Sequence, residues 1–86
     1  ETVIQIEIEP EIEYVNDALL FSFKAMNQIA NISKTKFTQS VLVMHFGENA
    51  LPTFAKADLS CSKDFFIDGV INEDQWRKNC LTIGGK

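Results

Sequence analysis

From Ile4 to Tyr14 the chain alternates with a period of two: Ile4, Ile6, Ile8, Ile12 and Tyr14 hold one parity, and Gln5, Glu7, Glu9, Glu11 and Glu13 the other. Only extended backbone sends successive side chains to opposite faces, so the stretch predicts a half-buried strand with carboxylates on its outward positions. Pro10 falls on the inward parity and has no N–H to give to a ladder. It therefore demands an edge position, a bulge or two short strands.

The period then changes. Leu19, Phe23, Met26 and Ala30 form one stripe, Phe21, Ala25, Ile29 and Ile32 a second, and Lys24, Gln28 and Asn31 a polar one. This predicts a helix over 16–33 with more than one face buried, with Asn16 as its N-cap and Asp17 near the positive end of its dipole. A strand over 18–23 is the weaker alternative, because polar residues recur at three and four. After a polar connector, the apolar β-branched run 40–46 predicts a central strand, and Gly47, Glu48 and Asn49 a turn. Pro52 opens an edge-like strand reaching Leu59, and Phe65, Phe66, Ile67, Val70 and Ile71 predict a further strand over 64–71, kinked at Gly69. Asn72 and Gln75 have the spacing of a capping box, with Glu73 and Asp74 early and Arg77 and Lys78 late, so a short helix follows. Gly84 and Gly85 end the order. The expected fold class is α+β: a single β-α-β-β-β unit, a mainly antiparallel sheet packed on one helix, with a short C-terminal helix, all within one domain over 1–86.

A chain of 86 residues removes roughly 60% of its unfolded surface on folding, so its core alone gives marginal stability. The first residue, Glu1, is not a methionine, which suggests a trimmed chain or a piece of a longer one. The net charge of −4 hides an uneven distribution: six acids and no Lys or Arg fall within 1–17, leaving six acids against eight bases in the rest. Without a basic stripe, autonomous nucleic-acid binding is disfavoured, since that affinity comes from neutralising phosphates. No apolar run approaches the roughly 18 residues of a membrane span, so no membrane partner is expected.

The row Glu7, Glu9, Glu11 and Glu13 invites three readings. A solvated strand face that discourages edge aggregation needs no ligand. A hard-cation site would want a Gly-bearing loop, which is missing, and phosphate mimicry or contact with a basic protein would use the charge alone. His45, the one histidine, shares the parity of Val41 and Val43 and reads as a hydrogen-bonded structural residue, having no nucleophile motif to serve. Trp76 either folds the tail over the sheet or anchors a partner. Cys61 and Cys80 lack metal-ligand spacing; free buried thiols in a reduced, intracellular chain are the default, and a disulfide requires Cα atoms within about 7 Å. Gly-rich phosphate loops, nucleophile elbows and paired acid–base motifs are absent, so neither an enzyme nor a cofactor is expected.

The stretch VLVMHFGENALPTFAKADLSCSKDFFIDG at 41–69 resembles the hairpin of eukaryotic DNA sliding clamps, and IEIEPEIEYVNDALLFSFKAMNQIA at 6–30 resembles the strand and helix before it. The likeness covers about 4–70, leaves 71–86 as an extension, and is closer to checkpoint clamps than to proliferating cell nuclear antigen. It implies a half-domain of a nuclear ring subunit: a non-enzymatic module for DNA replication and repair scaffolding, pairing edge strands with other protein subunits and meeting DNA only within the assembly. Lys24, and with it Lys34 and Lys36, would then face DNA phosphates, although the helix offers one lysine where clamps present several. Two alternatives remain open: a small acidic binding or inhibitor protein, such as an immunity or phage anti-host factor, meeting a basic partner through Glu7–Glu13, and a secreted domain with a Cys61–Cys80 disulfide.

Overall fold

The N-terminal alternation folds as a strand, but a shorter one than its pattern. In the computed structural model, which describes residues 2–85, β1 spans Val3–Ile8 and ends two residues before Pro10. Ile12–Tyr14 forms a 3-10 turn that runs directly into the helix α1, Val15–Ile32. Asn16 thus lies inside the first turn of α1 rather than capping it, and its side-chain oxygen accepts from the Arg77 guanidinium. The row of four glutamates is broken in the same way: Glu7 is in β1, Glu9 just beyond it, Glu11 at the start of the 3-10 turn and Glu13 within it.

The strand β2 spans Gln39–Met44 and β3 Thr53–Asp58, an antiparallel hairpin about the expected turn. Beyond Asp58 the expectation fails. The segment 64–71 is not a strand: the helix α2 covers Leu59–Phe66, and Gly69, at φ +66, is the left-handed residue just past its end. The Asp58 carboxylate accepts from the Ser60 backbone N–H, which turns the chain out of the sheet and into helix. The Val70 N–H then returns to the Asp64 carbonyl at 2.8 Å and closes the turn.

The helix α3, Glu73–Asn79, starts at the expected capping box: Gln75 N–H donates to Asn72 Oδ1 at 2.8 Å, and Asn72 N–H to Gln75 Oε1 at 2.9 Å. A fourth strand that the pattern did not announce, β4 over Leu81–Gly85, then pairs antiparallel with β3. The result is an α+β fold whose four-stranded sheet has the order β1-β2-β3-β4; β1 and β2 are parallel, and the other two pairings are antiparallel. Parallel pairing of β1 with β2 requires a crossover, which α1 supplies.

All three helices cover one face of the sheet. Ile4, Ile6, Ile8, Leu42, Met44, Ala55 and Ala57 point towards Leu19, Phe23 and Met26 of α1 and Trp76 of α3. Trp76 is fully buried, its ring against Phe23 on one side and Phe65 and Phe66 on another. Its Nε1–H donates to the buried Ser62 hydroxyl at 2.9 Å. Trp76 therefore closes the core and does not present itself to a partner. Cys61 and Cys80 form a disulfide with Cα atoms 5.6 Å apart, which corrects the expectation of free thiols and ties α2 to the end of α3.

Removing that bond with Cys61→Ala and Cys80→Ala frees a loop of sequence separation 19, for which the chain-entropy account gives a loss of about 3 kcal/mol. Trp76→Ala should cost about 3–5 kcal/mol. Urea titrations followed by far-UV circular dichroism check both; midpoints close to that of the unsubstituted chain would show that neither group holds the helices together.

Candidate functional site

β1 is an outer strand of the sheet, and its backbone is half used. The Thr2 carbonyl accepts from Thr38 N–H at 2.8 Å and the Ile8 carbonyl from His45 N–H at 2.9 Å. Even-numbered residues of β1 therefore turn their N–H and C=O towards β2, and Val3, Gln5 and Glu7 turn theirs away from the sheet. Among the described residues no strand lies on that side.

The helix layer above this edge is unfinished too. Phe21, Ala25, Ile29 and Ile32 recur at intervals of four and three and so share one stripe of α1. The sequence pattern put this stripe in the core, but Phe21 is 73% exposed, Ile29 48% and Ile32 83%. Asn27 and Asn31 look across a shallow polar groove to Leu59, Ser60 and Lys63 of α2. At 100° per residue Phe21 and Ile32 point away from the core face set by Leu19, Phe23 and Met26, and Ala25 and Ile29 occupy the flank opposite Asn27 and Asn31. In β1, Ile4, Ile6 and Ile8 are only half-buried, each covered by β2 but open at the edge.

The helix-free face carries the charge. Register places Gln5 beside Val41, whose partner on β3 is Lys56, and Glu7 beside Val43, whose partner is Phe54. His45, one residue past β2, brings Nε2 to 3.1 Å from Glu7 Oε1 and shares a shallow depression with Glu7, Ile8 and Glu9. This is the hydrogen-bonded histidine that its parity suggested, here at the mouth of the sheet. Among the described residues no group of three or more His, Cys, Asp or Glu side chains is placed to hold a metal ion.

The remaining candidates are dispersed. Lys24 is exposed midway along α1, and Lys34 and Lys36 are exposed in the connector, beyond the end of α1 at Ile32, which is about 12 Å of helix rise from Lys24. Trp76 is in the core, and Cys61 and Cys80 are bonded to each other. The surface that sequence reasoning missed is the α1 flank; the signal was present as a second apolar stripe, wider than one sheet can cover. No family model, curated protein or solved structure matches this chain.

Hydrogen exchange tests the edge directly. The amides of Ile4, Ile6 and Ile8 should be protected and those of Val3, Gln5 and Glu7 should exchange freely; equal protection of both sets would show that the edge is covered. Glu7→Gln should change stability by less than about 1 kcal/mol, because both partners of the His45 contact are open to solvent. A larger shift in the urea midpoint would give the pair a structural role.

Proposed function

We propose that this chain is a non-enzymatic, acidic protein-interaction domain that holds a partner along its β1 side. The observation that carries this reading is the exposed Phe21, Ile29 and Ile32 stripe of α1 in a fold whose β1, among the described residues, has one unpaired edge. Isolated surface apolar groups are ordinary, but an apolar stripe along a helix, in a fold that also offers open backbone donors and acceptors, is the composition of an interface. The acidic half of the reading rests on Glu7 and Glu9, whose parity directs them to the helix-free face at the same edge. The Cys61–Cys80 disulfide supports a secreted setting, because such bonds persist where the surroundings are oxidising.

The ring-subunit reading implied by the clamp resemblance calls on the same edge, since those subunits join through edge strands. It also asks α1 to meet DNA, and the exposed surface of α1 offers Lys24 alone among its residues. In that segment a partner protein is the better fit.

A photo-crosslinking amino acid placed at position 21 or 32 should give a discrete protein adduct in material from the chain's own source, while the same group at Lys78 on α3 should not. The adduct, identified by mass spectrometry and produced recombinantly, should lose at least about tenfold in affinity on Phe21→Ser with Ile32→Ser. Unchanged affinity, or adducts equally from position 78, would remove the α1 flank as the contact surface.

A further inference from the structure

The β1 side offers three kinds of contact at once, and together they specify the shape and charge of what fits. First, Val3, Gln5 and Glu7 present outward N–H and C=O groups spaced two residues apart, the repeat that an added strand satisfies. Second, the side chains on the helix side of that edge are Ile4, Ile6 and Ile8, with Ala25 and the exposed Ile29 on the flank of α1 turned away from α2. A strand seated there must turn apolar residues to the helix side. Third, on the helix-free side the edge carries Glu7, with Glu9 just beyond the end of β1, and β1 itself holds no Lys or Arg. The alternate residues of the same strand must then be cationic to match the edge.

A second copy meets this requirement poorly, because its β1 carries Glu7 and brings no Lys or Arg to Glu7 and Glu9. Like charges on paired strands oppose association. We infer that β1 is the acceptor edge for an extended, cationic segment of a partner protein, which adds a fifth strand beside Val3–Ile8 with its apolar residues under the α1 flank and its Lys or Arg residues beside Glu7 and Glu9. This deepens the interaction-domain reading and rests on it.

The test uses the intact, disulfide-bonded chain, isotopically labelled, and an alternating Lys-Val octapeptide as the probe. At saturation the amides of Val3, Gln5 and Glu7 should slow in exchange by about tenfold or more, while those of β4 do not change. Affinity should fall with added salt, and Glu7→Gln with Glu9→Gln should weaken it about fivefold or more without altering the fold, since both side chains are exposed. An alternating Glu-Val octapeptide and a Lys-Val octapeptide N-methylated at alternate residues should not protect the edge. Equal binding of the acidic peptide, protection at β4 in place of β1, or protection of the β1 edge by self-association without peptide would each overturn the inference. If the peptide leaves the β1 amides unprotected while adducts still form at position 21 or 32, strand addition falls and the interaction surface stands. If both fail, the broader reading falls with it.

Discussion

Trp76 is the constraint on which the rest of this small fold depends. Its ring meets Phe23 from α1 and Phe65 and Phe66 from α2, while its own helix α3 leads straight into β4. One side chain therefore joins three helices and sets the entry of the last strand. The indole N–H would be costly to bury alone, and the Ser62 hydroxyl accepts it inside the core. The disulfide clamps the same corner through covalent connectivity, from Cys61 on α2 to Cys80 at the end of α3. In a chain of 86 residues, where burial is inherently limited, these two devices concentrate the cohesion on the side of α2, α3 and β4.

The opposite side is built more openly. Among the described residues β1 has a single strand neighbour, reached through the α1 crossover. The α1 helix spends one stripe, Leu19, Phe23 and Met26, on the core and leaves another, Phe21, Ile29 and Ile32, to solvent. The molecule is thus polarised: a covalently and aromatically tied end, and an end with apolar surface and unused backbone groups. Glu7 and Glu9 belong to the second end, whereas the start of α1 turns back to Arg77 of α3 through Asn16.

Patterns confined to one element were legible in the sequence, and those that depend on what packs against an element were not. The switch from period two to helical spacing located β1 and α1, and the Asn72–Gln75 box located α3, because each signal is local. The run Phe65, Phe66 and Ile67 reads equally as strand or helix, and only the Asp58 cap and the Trp76 ring between the helices decide it. β4 escaped notice because Leu81–Gly85 ends in two glycines and takes its order from pairing with β3. The second stripe of α1 was seen and given the wrong environment: periodicity reports that a face is apolar and cannot report that, among the described residues, nothing covers it. Within the candidate site, Glu7 and His45 were each legible by parity, and their contact emerged only from the parallel register of β1 with β2.

Pro10 gives the open edge an end. Six residues of β1 reach about 20 Å at the ordinary rise of a strand, and beyond them the missing N–H and the 3-10 turn take the backbone out of the sheet plane. An edge of this length can hold a short segment but gives little purchase to an indefinitely growing stack. The glutamates beside it repel further copies of the same strand. The proline that closes the alternation thus also fixes how many open backbone groups the edge can offer.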